Sequence, residues 1–267
     1  MTIEQQNYLS NDQLHRNRKG GAESSVYRLL WPVKIADPLR QMKEAENLLQ
    51  SGGSILGIFS HKRMSDGPIL VLSMLRNPEM RLHRLLFPIA YHQFESPLKP
   101  ALKYYSRKFG IELFPLVIRD TLKKPRYTHL QRGAGVINYA KSAVRALSKN
   151  SAVFLSPQEG RRPTLGYPEV PVLGLIVNLA QKAKLTNVGI LPLDITGYGH
   201  HEIPDAGSGF ILFKSSILTV GKMTLLPKAI SEAAEQFGDQ KGEGVYPIDY
   251  WGFSQLRQIV PVWYRRE

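Results

Sequence analysis

Short apolar runs alternate with longer amphipathic stretches along most of this chain, and this alternation limits the folds that it can adopt. The run SILGIFS (54–60) follows two glycines and is as long as a strand that is buried on both faces. Runs of the same kind follow at 111–118, 151–156 and 187–197. Strands that alternate with helices predict an α/β fold, a sandwich of one mixed, largely parallel sheet flanked by helices.

Helices and further strands are predicted between these runs from apolar spacing and capping residues. Asp37 followed by Pro38 favours a helix start, and Ser65 or Asp66 can cap another helix. The expected helices cover 39–50, 69–76, 98–109, 136–149 and 173–184, with one more from about residue 230. Further strands are expected over 85–94 and within 210–226, and an aromatic tail follows the last helix.

Length and composition favour a single domain. At 267 residues, with 43% hydrophobic and 21% charged residues, the chain can bury one large core. Residues 1–23 are polar and basic and predict a flexible arm. Residues 24–53 predict N-terminal helices whose Tyr, Leu, Trp and basic side chains suit a membrane interface, with a helix packed on the core as the alternative. Residues 54–267 form the predicted main domain.

The charge and the cysteine content of the chain narrow its partners and its chemistry. A net charge of +13 favours anionic partners, which include nucleic acid, an acidic membrane surface and a phosphorylated substrate. The chain contains no cysteine, which excludes disulfides, thiolate metal sites and a cysteine nucleophile. No apolar stretch reaches the roughly 18 residues of a membrane span, and the polar N-terminus is not typical of a signal peptide. We therefore expect a cytoplasmic protein.

A histidine and an aspartate follow the first buried run. His61 comes directly after it, and Asp66 lies five residues further on, at the start of a predicted helix. A carboxylate that accepts the Nδ1 proton leaves Nε2 free to act as a base and stabilises the imidazolium that forms. The spacing alone proves little, because His200 and Asp205 repeat it in a loop rich in His, Pro and Gly. The position after a buried strand favours His61 and Asp66 as a catalytic pair.

A second group of polar residues, SPQEGRRPT (156–164), also follows a buried run. Gly160 lets backbone amides approach a ligand closely, and Arg161 and Arg162 can each hold a phosphate through two hydrogen bonds. Glu159 can orient an arginine or a substrate hydroxyl. An exposed basic turn is the alternative interpretation of this group.

Arg119 stands at the end of a third apolar run, 111–118. Ligands of open α/β sheets bind beyond the carboxyl ends of the strands. We therefore expect His61, Arg119 and the group at 159–162 to converge on one ligand.

These residues, in this order, resemble the glycerolipid acyltransferase family, which includes 1-acylglycerol-3-phosphate and glycerol-3-phosphate acyltransferases. The resemblance covers about residues 55–192, with the family's H-x4-D block at His61 to Asp66 and its arginine-ended strand at 110–119. Its apolar strand with a proline is similar to 189–193. The family's F-P-E-G-T-R block is altered here: Gln158 replaces its proline and Arg161 its threonine.

The resemblance implies an acyltransferase that needs no metal or other cofactor. His61 would be its base and Asp66 would orient that base, while the acceptor phosphate would be bound by Arg119, Glu159, Gly160, Arg161 and Arg162. The acyl donor would be acyl-CoA or acyl carrier protein. The acceptor would be 1-acylglycerol-3-phosphate, with glycerol-3-phosphate as the alternative because the interval from His61 to Glu159 is close to that of soluble glycerol-3-phosphate acyltransferases.

The partners expected from sequence are therefore a donor thioester, a glycerol-phosphate or lysophospholipid acceptor and an anionic membrane surface. Trp31 and the segment 263–266 are the predicted anchors on the cytoplasmic face of a membrane, and an ordinary solvated surface is the alternative for each. A basic nucleic-acid-binding protein is the rival that charge alone permits, although it leaves the strand-end residues unexplained. A hydrolase is a second rival, and the chain lacks the G-x-S-x-G motif of its serine version.

Overall fold

The structure, a computed structural model, is built on one mixed sheet. It describes residues 32–62, 66–76, 83–95, 97, 99–117, 119–127, 129, 132–158, 164–168, 170–197, 215–240 and 244–265. The strands in this part of the chain are β1 (Val33–Ala36), β2 (Ser54–Phe59), β3 (Leu85–Ala90), β4 (Ile111–Leu116), β5 (Ala152–Leu155), β6 (Val188–Gly197), β7 (Ser216–Val220) and β8 (Thr224–Leu225).

The strand order in the sheet is β1-β7-β6-β2-β5-β3-β4. The five strands β6, β2, β5, β3 and β4 run parallel to one another, so their carboxyl ends lie along one edge. β7 and β8 run antiparallel beside the two halves of β6, and β1 pairs in parallel with β7. The predicted α/β fold with a mixed, largely parallel sheet is confirmed.

Helices cover both faces of this sheet. The helices of the described residues are α1 (Gln41–Gln50), α2 (Asp66–Arg76), α3 (Tyr91–Phe94), α4 (Lys99–Phe109), α5 (Arg119–Leu122), α6 (Arg132–Leu147), α7 (Val172–Lys182), α8 (Leu226–Phe237) and α9 (Pro247–Ile259). Short 3-10 turns cover Pro125–Tyr127 and Val262–Tyr264. None of the helices in the described ranges is long and apolar enough to cross a membrane.

Two expectations about single elements were wrong. The run 85–94 is not one strand, because β3 ends at Ala90 and the next four residues form α3. The aromatic tail is largely the helix α9, which begins at Pro247 and buries Trp251 completely. A proline in the first helical turn is a start signal, but the closely spaced aromatic residues around 250–253 obscured the apolar period of this helix.

Strand β2 is buried on both faces, and its alternate side chains enter two separate cores. Leu56 and Ile58 pack with α6, α7, α8 and α9, whereas Ile55 and Phe59 pack with α1 and α2. This explains why the strand is an unbroken apolar run. Gly57 leaves space for the ring of Phe154, since a Cβ atom there would lie 2.6 Å from Phe154 Cε1.

The N-terminal segment 24–53 differs from the predicted interfacial helices over its described part. β1 belongs to the sheet through its pairing with β7, and α1 buries Met42, Ala45 and Leu49 in the core. Only the helix predicted over 39–50 is therefore retained, and it packs on the main domain. Residues 1–31, which include the predicted arm and Trp31, lie outside the described residues.

Candidate active site

His61 and Asp66 lie together beyond the carboxyl end of β2. Asp66 is the first residue of α2 and is fully buried, while the His61 side chain keeps 23% of its surface exposed. His61 Nδ1 lies 3.4 Å from Asp66 Oδ2, and the same oxygen accepts a hydrogen bond of 2.6 Å from the backbone amide of Lys62. The imidazole contact is longer than an ordinary hydrogen bond. The sequence-predicted pair is brought together, and its catalytic role stays a prediction.

A buried ion pair lies beside this histidine. Lys62 Nζ pairs with Asp194 on the neighbouring strand β6 and also donates a 3.0 Å hydrogen bond to the carbonyl of Ile195. The Ser60 hydroxyl donates to the same Asp194 oxygen. Burial raises the pKa of Asp194, and the charge and hydrogen bonds of Lys62 and Ser60 oppose that rise. The residues on either side of His61 are therefore tied to β6 through one buried carboxylate.

Sequence reasoning missed this ion pair. Asp194 interrupts the apolar run GILPLDITG (189–197), which the structure shows to be buried almost to its end. A charge in the middle of a buried strand requires a partner, because an unpaired buried charge is strongly unfavourable. That interruption was the available signal, although it could not identify Lys62 as the partner.

Gln158 joins the β5 end of the site to the β2 end. Its side-chain oxygen accepts a 3.1 Å hydrogen bond from the backbone amide of His61. The pairing of Ile58 with Leu155 sets the two strand ends level, so that this contact can form. Glycerolipid acyltransferases have a proline at the position of Gln158. In this chain the glutamine side chain at that position links the ends of β5 and β2.

The residues expected to bind phosphate are only partly within the described chain. Glu159, Gly160, Arg161 and Arg162 lie outside the described residues. Arg119 begins α5 after β4, which places its backbone at the same edge of the sheet as His61 but three strands away, about 14 Å. The second H-x4-D pair, His200 and Asp205, is also outside the described residues.

His92, which sequence reasoning did not single out, follows a strand that lies between β2 and β4 in the sheet. His92 in α3 follows β3, and its Nδ1 lies 2.9 Å from the hydroxyl of Thr121 in α5. Thr121 is fully buried. Within the described ranges, no three His, Cys, Asp or Glu side chains are grouped so that they could hold a metal ion.

Comparisons with known proteins identify no family for this chain. No protein family matches the sequence, and no curated protein matches it either. The similarity to glycerolipid acyltransferases therefore rests on the residues quoted above and stays a prediction.

Proposed function

We propose that this chain is an O-acyltransferase of phospholipid synthesis. It moves a fatty acyl group from acyl-CoA or acyl carrier protein to a hydroxyl of a glycerol-phosphate acceptor, with 1-acylglycerol-3-phosphate as the first candidate and glycerol-3-phosphate as the second. The observation that supports this proposal best is a half-buried imidazole whose Nδ1 faces a buried carboxylate at the carboxyl end of a parallel strand. Such an arrangement suits a general base that acts on a bound hydroxyl.

The chemistry needs one base and no covalent enzyme intermediate. His61 Nε2 accepts the proton of the acceptor hydroxyl while the hydroxyl oxygen bonds to the thioester carbonyl carbon. The carbonyl oxygen carries the negative charge of the tetrahedral intermediate, and Asp66 stabilises the imidazolium. The carbon–sulfur bond then breaks, the carbonyl re-forms, and the imidazolium returns the proton to the leaving thiolate. The products are an ester and a free thiol.

Phosphate binding falls to basic residues at the same edge of the sheet. In the proposal, Arg119, Arg161 and Arg162 hold the acceptor phosphate, Glu159 orients an arginine, and Gly160 allows backbone amides near the ligand. The parallel direction of β2, β5 and β4 supports this assignment, because it brings their carboxyl ends to one edge.

A peripheral position on an anionic membrane is the second part of the proposal. The turn at the end of α9 exposes 76% of Val262 and 44% of Trp263, and Tyr167 on the adjoining segment is 56% exposed under the guanidinium of Arg257. Exposed apolar and aromatic side chains next to cations suit the interface of an acidic leaflet. This surface adjoins the candidate site, because Tyr264, the residue after Trp263, donates its hydroxyl hydrogen bond to Gln158, which also accepts from the His61 backbone amide.

The decisive experiment for the activity measures acyl transfer directly. Purified protein is incubated with labelled acyl-CoA and, in separate reactions, with 1-acylglycerol-3-phosphate or glycerol-3-phosphate. His61→Ala should abolish product formation, whereas His83→Ala should leave it within a few fold, since His83 precedes β3 at the opposite edge of the sheet. Equal product from His61→Ala and wild type contradicts the mechanism. Salt-dependent binding of DNA or RNA without any acyl transfer supports the nucleic-acid-binding rival.

Vesicle sedimentation tests the membrane surface separately. Vesicles that contain phosphatidylglycerol should bind the wild type more tightly than pure phosphatidylcholine vesicles do, and Trp263→Glu should weaken that binding. Ile137→Glu, an exposed position on α6, is the matched control. Equal weakening by both variants contradicts the assignment of this surface.

A further inference from the structure

The turn Val262–Tyr264 near the C-terminus buries only its third residue. Val262 and Trp263 are exposed, whereas Tyr264 is 1% exposed and points inwards. Its hydroxyl donates a 3.1 Å hydrogen bond to Gln158 Oε1. A buried tyrosine of this kind holds its hydroxyl on one defined partner, and here that partner lies at the end of β5.

Gln158 transmits this contact to His61. Its Oε1 accepts hydrogen bonds from both the Tyr264 hydroxyl and the His61 backbone amide, each at 3.1 Å, and its Nε2 donates to the carbonyl of Thr164 at 3.1 Å. The amide is buried, and these contacts use donors and acceptors at both of its ends. The orientation of the Gln158 side chain is thereby determined, and with it the place of the His61 backbone.

The aromatic ring of Tyr264 contacts Lys62, the residue that follows His61. Lys62 Nζ lies 4.6 Å from the ring centroid, on a lysine that is itself buried and paired with Asp194. A cation over a ring is attracted more strongly when both are shielded from water. Tyr264 therefore reaches His61 through its hydroxyl and Gln158, and Lys62 through its ring.

The backbone of Tyr264 is also held. Its carbonyl accepts a hydrogen bond from the amide of Leu165, and Arg265 forms an isolated parallel bridge with Leu165. The guanidinium of Arg265 donates to the carbonyl of Val260, which ties the turn to the end of α9. The Tyr264 amide also donates a 3.0 Å hydrogen bond to the Pro261 carbonyl, so the backbone is held on both sides of Tyr264.

We propose that Tyr264 and Gln158 are positioning residues for His61. They hold the backbone of residue 61 so that Nδ1 stays near Asp66 while Nε2 faces the acceptor hydroxyl. The inference rests on the proposed acyl transfer and names what sets the geometry of its base. By this inference the segment after α9 contributes to the geometry of the site through Tyr264, which is 106 residues from Gln158 in the sequence.

A matched pair of tyrosines tests the proposal. Tyr264→Phe removes the hydroxyl and keeps the ring over Lys62. Tyr139→Phe removes another fully buried hydroxyl, which donates to the carbonyl of Phe154 outside the site. We expect Tyr264→Phe to lower kcat about fivefold to tenfold with KM within twofold, because one hydrogen bond to the positioning amide is lost. Tyr139→Phe should leave kcat unchanged while destabilising the fold to a similar extent.

Two further measurements separate positioning from stability. Gln158→Leu should lower kcat by more than Tyr264→Phe does, because it removes the acceptor of both the Tyr264 and the His61 hydrogen bonds. The imidazole NMR signals of His61, assigned by their loss in His61→Ala, should shift or broaden in Tyr264→Phe and not in Tyr139→Phe. Equal kcat values and unchanged His61 signals in the two phenylalanine variants overturn the inference. If His61→Ala retains full activity, it is the proposed acyl transfer that fails, and the NMR comparison still tests the contact.

Discussion

Among the described residues, buried carboxylates occur in two regions and have different partners in each. Beyond the carboxyl end of β2, Asp66 faces His61, and Asp194 within the neighbouring strand β6 faces Lys62, so each carboxylate meets an ionisable side chain. In the helical layer, Asp249 accepts hydrogen bonds from the backbone amides of Gly174 at 2.9 Å and Tyr246 at 3.0 Å. The first region combines groups that can exchange or balance a proton, whereas the second caps the first turns of α7 and α9.

In the proposed mechanism, burial of the first kind serves catalysis and burial of the second kind serves the fold. Burial raises the pKa of Asp249 to about 6, and the backbone hydrogen bonds only partly oppose this rise. Asp249 is fully buried, and its two carboxylate oxygens accept hydrogen bonds from backbone amides. His61, by contrast, keeps part of its ring exposed beside its carboxylate. We expect changes in the first region to act on activity and changes in the second to act on stability.

The largest expected effect separates the two regions by activity. Asp66→Asn should lower kcat by about 10³-fold to 10⁴-fold, because the amide cannot stabilise the imidazolium or set the tautomer of His61. The variant should retain an oxygen that can accept from the Lys62 amide and should fold like the wild type. Asp249→Asn is the matched control and should leave kcat nearly unchanged at pH 7. Steady-state acyl transfer measures both, and comparable losses of kcat would remove the distinction between the regions.

The ion pair next to His61 should give the next largest effect, on stability. Asp194→Leu leaves the buried charge of Lys62 without its carboxylate and should cost about 3 to 5 kcal/mol of unfolding free energy. Replacing both residues, as Lys62→Met with Asp194→Leu, should recover most of that loss because neither charge of the pair then stays buried. Urea denaturation of the single and double variants measures this coupling. A double variant that is as unstable as the single one contradicts it.

The pH dependence of stability should identify Asp249. Its folded pKa of about 6 lies above the ordinary value of 3.8, so the folded state binds more protons than the unfolded state between these values. Its contribution is therefore fully present below pH 3.8 and is lost as pH rises to about 6. Relative to wild type, Asp249→Asn should gain up to about 3 kcal/mol of stability over that interval. Denaturation at several pH values between 4 and 7 measures the difference, and a constant difference argues against the raised pKa.

The smallest expected effect concerns the close approach of α7 to α9. A Cβ atom at Gly174 would overlap the Tyr246 ring and lie 2.5 Å from Asp249 Oδ2. Gly174→Ala should therefore cost about 1 to 3 kcal/mol of unfolding free energy without changing KM. Gly67→Ala in α2, where a Cβ atom meets nothing within 4 Å, is the control and should be neutral or slightly stabilising. Equal stabilities of the two variants would show that the helices can separate at little cost.

Local spacing made part of the candidate site predictable. His61 and Asp66 are only five residues apart, so a strand end followed by a helix start is enough to bring them together. Lys62 and Asp194 are 132 residues apart, and Gln158 and Tyr264 are 106 apart. No local period contains such pairs, because they depend on which strands and segments become neighbours. The burial of Tyr264 was not predicted either, because the end of the chain was predicted to be an aromatic tail.

The sequence by itself determined the alternation of strands and helices and the buried character of β2, β5 and β6. Runs that are apolar at nearly every position are satisfied by burial on both faces of a sheet, which requires helices on either side. Tertiary structure alone decided the order β6-β2-β5-β3-β4, in which β5 separates β2 from β3 and β2 separates β5 from β6, while β3 and β4 are neighbours in both chain and sheet. Because that order is set by the packing of whole strands, it also decided that Gln158 beyond β5 contacts the His61 amide and that Asp194 of β6 contacts Lys62.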